Sequence, residues 1–176
     1  MTRPRDRRGF TLIEILVAVT IIAILATVVA VTVVRSPAMR NERLHAGARR
    51  LAGFITLLQG RAVLGGRALA LEYMVDEGRY RVVLPVDAGD ADPAVIEEAL
   101  PEGVRFTGVA LDAYGETDYG TVAIQFGPDG TITPHLVHLA VDNSDGTPRI
   151  FTLEVVPVIG VVRVFDGPRE WMELMQ

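Results

Sequence analysis

His135 and His138 lie three residues apart and are the side chains of this sequence that most resemble a pair of metal ligands. On a helix this spacing would place both imidazoles on one face. The segment that holds them is predicted to be a strand, however, and on a strand the two side chains point to opposite faces. We therefore expect no shared metal ion and interpret both residues as ordinary half-exposed strand histidines.

Two loops also carry residue types that bind ions. The loop Asp142–Gly146 gathers oxygen-bearing side chains, as calcium sites do, but it lacks the spacing and the terminal glutamate of an EF-hand. Because Asp, Asn and Gly are also the residues that form turns, a hairpin turn is the stronger interpretation. The loop Gly127–Gly130 is likewise interpreted as a turn, since no helix follows it to cradle a phosphate.

The composition excludes several kinds of chemistry. The chain has 176 residues and no cysteine, which rules out a disulfide scaffold, a cysteine-ligated metal site and a thiol enzyme. All 17 basic residues are arginine, which rules out a lysine Schiff base and a P-loop lysine. No Gly-x-Ser-x-Gly elbow or other catalytic motif is recognisable. We predict no cofactor, no metal site and no enzymatic activity.

Charge is strongly segregated along the chain, although the formal net charge is only −5. Residues 1–9 carry a net +3, residues 35–67 carry +6 and residues 68–176 carry −13. A basic N-terminal part therefore precedes an acidic remainder. Because DNA-binding surfaces need cations that neutralise phosphates, this distribution argues against a nucleic-acid partner for the acidic part.

An apolar run of 20 residues, Ile15–Val34, contains no charged side chain. As a helix that rises about 1.5 Å per residue, it spans roughly 30 Å, the thickness of the bilayer hydrocarbon. The positive-inside bias keeps the basic residues 1–9 in the cytoplasm and places the rest of the chain across the membrane. From these residues alone, three interpretations are open: a plain anchor, a secretory or twin-arginine signal, and an assembly segment in which Glu14 has a partner.

The pattern becomes amphipathic after Val34, and a second helical section is predicted to end at Gly65-Gly66. Its arginines lie off the apolar stripe and face solvent, anionic lipid headgroups or the acidic surface of a neighbour. The arginines are Arg40, Arg43, Arg50 and Arg61. The apolar stripe consists of Leu44, Ala48, Leu51, Ile55, Leu58 and Ala62.

Strands separated by turns follow from residue 67 onward. A short helix is expected at Pro93–Leu100, inside an acidic loop. Seven short strands and a long helix predict an α+β fold, in which the helix packs on one antiparallel sheet or on two sheets. The predicted strands are Ala68–Met74, Arg79–Leu84, Val104–Val109, Thr121–Phe126, His135–Val141, Ile150–Val156 and Val161–Phe165.

The eight residues Arg7–Glu14, followed directly by the apolar helix, resemble the class III signal of type IV pilins and type II secretion pseudopilins. The resemblance implies that a prepilin peptidase cuts between Gly9 and Phe10 and that the new amino terminus of Phe10 is methylated. Glycine suits such a cut because no side chain obstructs its carbonyl. The carboxylate of Glu14 is then expected to pair with the amino terminus of a neighbouring subunit, which relieves the desolvation of both charges.

Later segments resemble the GspH/FimT family of minor pseudopilins and minor pilins. They are Ala48–Leu71, Leu100–Val104, Phe126–Gly130 and Gly160–Val164. The resemblance implies a structural subunit of a type II secretion pseudopilus, which assembles with other pseudopilins in contact with inner-membrane lipid and helps to export folded proteins. The implied parts are a cytoplasmic leader (1–9), a transmembrane assembly helix (10–34), its amphipathic continuation (35–65) and a periplasmic β-rich domain (66–176).

A FimT-like minor type IV pilin, involved in DNA uptake or pilus assembly, is the alternative. In that branch a C-terminal Gly-Arg-x-Arg element supplies arginines, whereas this chain reads Gly160-Val161-Val162-Arg163 and lacks the first of them. The apolar C-terminal tail either docks on its own domain or contacts a partner subunit. Its apolar residues are Trp171, Met172, Leu174 and Met175.

Overall fold

The structure is a computed structural model of the chain. It describes residues 12–34, 37–83, 95–111, 115–143, 146–156 and 161–170. The chain forms two compact units, which comprise residues 1–39 and residues 40–176. Each unit is described by itself below.

The first helix, α1 (Leu12–Val34), is apolar on all sides. Its one charged side chain is Glu14, in the first turn. The hydroxyls of Thr20 and Thr27 each donate to the backbone carbonyl four residues earlier, at 2.8 Å, so these polar groups are satisfied within the helix. The segment Leu12–Val29 is exposed and is long and apolar enough to cross a membrane.

The second helix, α2 (Pro37–Gly65), begins with a proline, whose missing N–H and fixed φ suit the first helical position. It ends in a Schellman motif at Gly66, which has a φ of 59°. The N–H of Gly66 donates to the carbonyl of Val63 at 3.2 Å, and that of Arg67 donates to the carbonyl of Ala62 at 3.1 Å. The two glycines therefore end the helix, as the sequence predicts.

The described part of the chain contains two antiparallel sheets, with strand orders β3-β2-β1-β6 and β5-β4-β7-β8-β9. All seven predicted strands are present, with described ends within two residues of the prediction. The nine strands are β1 (Leu69–Met74), β2 (Arg79–Val83), β3 (Val95–Ala99), β4 (Val104–Leu111), β5 (Gly115–Thr117), β6 (Thr121–Phe126), β7 (His135–Asp142), β8 (Pro148–Val155) and β9 (Val162–Asp166).

The helix predicted at Pro93–Leu100 is wrong. Residues 95–99 form the edge strand β3, paired with β2. Glu and Ala favour a helix by propensity, but tertiary contacts override that preference here. Ile96 packs against the core, and Glu97 forms an ion pair with Arg79 across the strands at 2.8 Å. The sequence analysis also missed β5, which has only three residues.

The apolar stripe of α2 is the centre of the core. Its six predicted residues are each 1% exposed or less. Phe54 of α2 packs edge-on against Tyr80 of the first sheet, with ring centroids 5.1 Å apart. His45 of α2 packs in the same way against Phe151 of the second sheet, at 4.5 Å. Both sheets therefore pack on one helix. The predicted α+β architecture is confirmed, and of the two expected alternatives, one sheet or two, the structure has two.

Candidate assembly site

The predicted processing residues, Gly9 and Phe10, lie outside the described residues. Glu14 lies in the first turn of α1, where its side chain is exposed. A carboxylate is favoured there because the N-terminus of a helix carries a partial positive charge. Glu14 is the one charged side chain of this apolar helix.

Most arginines of α2 interact with acceptors of the same domain. Arg43 lies 3.7 Å from the carboxylate of Glu102, and Arg49 lies 3.1 Å from that of Glu42. Arg50 forms an ion pair with Glu98 of β3. The Nη1 of Arg40 donates to the backbone carbonyl of Asp142, at 3.0 Å. The predicted basic face is thus largely occupied by the domain's own acidic residues and carbonyls, although exposed pairs of this kind contribute only about 0–1 kcal/mol each.

Arg61 differs from the other arginines of α2. Its side chain is exposed, and none of the described acidic residues lies within ion-pair distance of it. Its neighbours Leu57 and Leu64 are also exposed, at 52% and 91%. The C-terminal half of α2 therefore presents an apolar surface that carries one cation.

His135 is fully buried, so the expectation of a half-exposed side chain is wrong for this residue. Its Nδ1 donates to the carbonyl of Thr133 at 2.7 Å, and its Nε2 accepts from the hydroxyl of Tyr73 at 3.0 Å. Burial lowers the pKa of His135 to about 4, against the opposing effect of the Thr133 carbonyl. Burial also raises the pKa of Tyr73 well above its usual value, with a further contribution from Tyr80. Both side chains are therefore neutral near pH 7.

His138 is also buried, with 7% of its surface exposed, which again corrects the half-exposed expectation. Its Nδ1 lies 2.8 Å from a carboxylate oxygen of Glu116, and its Nε2 lies 3.1 Å from the backbone carbonyl of Arg169. A carboxylate oxygen and a backbone carbonyl, both hydrogen-bond acceptors, thus lie at the two ring nitrogens of His138. Each histidine has its own set of partners, and no group of three metal-binding side chains occurs among the described residues.

A cavity of about 560 Å³ lies beside His138 on the second sheet. Thr107 bulges out of the pairing between β4 and β7, and its buried hydroxyl has no hydrogen-bond partner among the described residues. Gly108 follows the bulge, and a Cβ there would lie 2.1 Å from the Glu116 carboxylate. Gly108, Glu116 and Arg169 are missing from the sequence analysis because only tertiary folding brings them to the histidine.

The two loops considered as ion sites are turns where they are described. In the first, the N–H of Asn143 donates to the carbonyl of Thr147 at 2.9 Å, which closes the hairpin between β7 and β8. Residues 144 and 145 lie outside the described residues. In the second, Asp129 accepts from the hydroxyl and the N–H of Thr131, and these bonds lower the pKa of Asp129. The apolar tail, residues 171–176, lies outside the described residues.

Two family models match the chain. The prokaryotic N-terminal methylation motif matches residues 4–30, and the type II transport protein GspH matches residues 47–157. The second match covers more than half of the chain. No curated protein matches the sequence.

Solved structures share this fold. Two are structures of the minor pseudopilin EpsH from the type II secretion system of Vibrio cholerae. One is 16% identical and covers 70% of this chain and 97% of its own length, with a TM-score of 0.52. The other is 18% identical and covers 73% of this chain and 98% of its own length, with a TM-score of 0.53. The type IV minor pilin FimU of Pseudomonas aeruginosa is 16% identical and covers 75% of this chain and 93% of its own length. Its TM-score of 0.47 is too low to bear on function.

An apolar N-terminal helix with a methylation motif, followed by an amphipathic helix packed on two antiparallel sheets, defines a pilin-like subunit. The chain belongs to the type II transport protein GspH family, whose model spans most of the described domain. Its role is that of a minor pseudopilin.

Proposed function

We propose that this minor pseudopilin is a structural subunit of a type II secretion pseudopilus that helps to export folded proteins. Residues 1–9 form a cytoplasmic leader, residues 10–34 span the inner membrane, residues 35–65 continue as the amphipathic helix, and residues 66–176 form a periplasmic domain. A prepilin peptidase cuts between Gly9 and Phe10, and Phe10 is then methylated. The contribution of the protein is assembly with other pseudopilins, without catalytic chemistry of its own.

The observation that carries this proposal is the position of Glu14. It is the one charged residue of α1, it lies in the first turn, and it falls within the region matched by the methylation motif. A carboxylate at the edge of a low-dielectric phase is costly unless it is paired or hydrogen-bonded. Its presence in an otherwise apolar helix therefore favours a functional partner over a plain anchor.

Processing supplies a cation that suits this partner role. Cleavage after Gly9 leaves an amino terminus on Phe10, and methylation keeps that amine basic. When two such helices pack side by side, the carboxylate of one subunit and the amino terminus of its neighbour relieve each other's desolvation. Because the two groups are fixed on their helices, the pair also sets the axial register between subunits.

The test compares Glu14→Ala with Glu14→Asp, which retains the charge. Glu14→Ala is expected to be cleaved and inserted into the membrane like the wild type but to be absent from the assembled pseudopilus. Glu14→Asp is expected to assemble partly. Intact-mass measurement reports cleavage and methylation, membrane fractionation reports insertion, and co-purification with the other pseudopilins reports assembly. Unchanged co-purification of Glu14→Ala would contradict the proposal.

A further inference from the structure

The face of the second sheet that points away from α2 is buried although it lies outside the hydrophobic core. We call it the outer face. Along β7, core residues alternate with Leu136, His138 and Ala140, which therefore point to the outer face. All three are 7% exposed or less. Ala110 of β4, which pairs with Leu136, is also 7% exposed. A second layer of the chain must therefore cover this face.

Residues 167–170, which we call the strap, supply the described part of that layer. Gly167 has a φ of 105°, which favours glycine, and it turns the chain from β9 back over the sheet. The hydroxyl of Thr152 donates to the carbonyl of Gly167 at 2.7 Å and accepts from the N–H of Arg169 at 3.2 Å. The carbonyl of Arg169 lies 3.1 Å from the Nε2 of His138. The strap thus runs from β9 over β8 to β7.

The cavity beside His138 lies ahead of the strap in this direction. Pro168 and Glu170 of the strap line it on one side, and Ala110 of β4 and Glu116 of β5 line it on the other. In the order β9-β8-β7-β4-β5, the strands β4 and β5 are the next ones that the strap would cross. A chain that continues along the course of the strap therefore enters the cavity. The next residue in the sequence is Trp171.

The segment after Glu170 has the composition of an occupant for this cavity. Residues 171–176 read Trp-Met-Glu-Leu-Met-Gln, and four of these six are large apolar residues. The cavity volume of about 560 Å³ falls within the range of about 300–1,000 Å³ that is typical of ligand sites, so a large side chain fits into it. A buried indole also needs an acceptor for its N–H group.

Thr107 offers that acceptor. It lines the cavity, and its buried hydroxyl has no hydrogen-bond partner among the described residues. A buried hydroxyl without a hydrogen bond is costly, so a donor from another part of the chain would stabilise it. Two other acceptors of the cavity, the Oε1 of Glu116 and the carbonyl of Arg169, already lie at the ring nitrogens of His138. The hydroxyl of Thr107 is therefore the best placed to accept from an indole.

We propose that this cavity is the binding site for the chain's own C-terminal segment, residues 171–176, with the indole of Trp171 seated in it and its Nε1–H donating to the hydroxyl oxygen of Thr107. The strap brings Trp171 to the cavity, and the segment completes the second layer over β7, β4 and β5. Of the two uses expected of the apolar tail, the inference selects docking on its own domain over contact with a partner subunit.

The fluorescence of Trp171 tests this inference directly, because Trp171 is the only tryptophan of the chain. In the full-length protein in a nonionic detergent, we expect the indole to be shielded from acrylamide, which quenches from water, and from a brominated detergent, which quenches from within the micelle. The control is the double variant Trp171→Phe/Tyr119→Trp, whose one indole replaces a side chain that is 73% exposed. Quenching of Trp171 by acrylamide to the level of this control, or by the brominated detergent, would overturn the inference.

A blocked cavity provides a second test. Ala110→Leu places a larger side chain in the cavity and should displace the indole, so acrylamide quenching of Trp171 should rise toward the level of the exposed control. Ala123→Leu is the matched variant, because Ala123 is an exposed residue of β6 in the first sheet, and it should leave the quenching unchanged. Thermal unfolding confirms that both variants are folded. Unchanged quenching in a folded Ala110→Leu variant would contradict the inference.

The hydrogen bond to Thr107 is tested by a double-mutant cycle. Thr107→Val removes the hydroxyl and retains a side chain of similar shape. If the indole donates to this hydroxyl, the substitution leaves the indole N–H unpaired and should lower the melting temperature of the full-length protein in detergent. In the Trp171→Phe background, which has no indole N–H, the same substitution should lower it less. The same change in both backgrounds, in either direction, would show that the hydroxyl has no indole partner and would overturn the inference.

Discussion

The hydroxyl of Tyr73 donates to the Nε2 of His135 at 3.0 Å, in the middle of the core. Tyr73 belongs to β1 of the first sheet and His135 to β7 of the second, so this bond links the two sheets directly. The Nδ1 of His135 donates to the carbonyl of Thr133, which leaves the Nε2 free to accept. Each polar atom of the pair is thus satisfied although both side chains are completely buried.

The first prediction concerns acid stability. The pKa of His135 is about 4 in the folded protein, below its ordinary value of 6.5 in an unfolded chain. Between these pH values the unfolded state binds more protons than the folded state. The contribution of neutral His135 to the free energy of unfolding is therefore fully present above pH 6.5 and decreases as the pH falls toward 4. The expected loss is about 3 kcal/mol at the lower end. Denaturant unfolding of the full-length protein in detergent, at several pH values in this interval, measures it.

The control for this prediction is His135→Gln. Glutamine offers an amide donor for Thr133 and a carbonyl acceptor for Tyr73, but it does not titrate in this range. The variant is expected to be less stable at pH 7, because the geometry of its amide differs, and to lose less stability on acidification. Equal slopes for the wild type and the variant would show that other groups cause the acid sensitivity.

The sequence is sufficient to predict the elements that depend on local patterns. The buried stripe of α2 follows from the helical period. The end of the helix follows from Gly66, because a glycine has no Cβ and adopts the φ of 59° without strain. The edge strand β3 is mispredicted because its helix-forming residues are held in a strand by β2. A local window does not contain that pairing.

The environment of the candidate site residues depends even more on distant parts of the chain. His138 meets Glu116 and the Arg169 carbonyl, which are 22 and 31 residues away. Arg50 and Glu98 are 48 residues apart. Without these contacts the arginines of α2 look equivalent, and the difference between Arg61 and the others is visible only in the folded domain. The leader residues can be recognised from the sequence alone, because their motif is contiguous.

The second prediction uses two adjacent leucines of α2. Leu58 is 1% exposed and Leu57 is 52% exposed, although both are leucines and they are adjacent in the same helix. Leu58→Ala should cost about 2–5 kcal/mol of stability, because it removes buried methyl groups and leaves a cavity. Leu57→Ala should cost less than about 1 kcal/mol, because its side chain is already half in water. Thermal unfolding of the full-length protein measures both losses of stability. Equal losses would contradict the assignment of Leu58 to the buried face of α2 and of Leu57 to its exposed face.

The third prediction concerns Gly108. A Cβ at this position would lie 2.1 Å from the Oε1 of Glu116, so Gly108→Ala must displace the carboxylate from His138. Hydrogen bonds to charged groups contribute about 1.5–3 kcal/mol, and we expect a loss of that order or less, since Glu116 is partly exposed. NMR of the His138 ring nitrogens should report the lost partner.

A double variant checks this explanation. Glu116→Ala removes the group that the new methyl would strike, so adding Gly108→Ala to it should cost much less than adding Gly108→Ala to the wild type. Gly53→Ala is the matched control, because a Cβ there meets nothing within 4 Å and should be neutral or stabilising. Additive effects of Gly108→Ala and Glu116→Ala would show that the methyl group is harmful for a different reason.

The fourth prediction concerns DNA, which the alternative role as a FimT-like minor pilin in DNA uptake would require. Residues 68–176 carry a net charge of −13, and most arginines of α2 interact with acceptors of the same domain. Few cations remain to neutralise phosphates, and neutralised phosphates supply most of the affinity of nonspecific DNA binding. The full-length protein in a nonionic detergent is therefore expected to leave double-stranded DNA unretarded in a gel, even at low salt. Retardation that disappears as the salt concentration rises, and that is weakened by Arg61→Glu or Arg163→Glu, would favour the DNA-binding pilin instead.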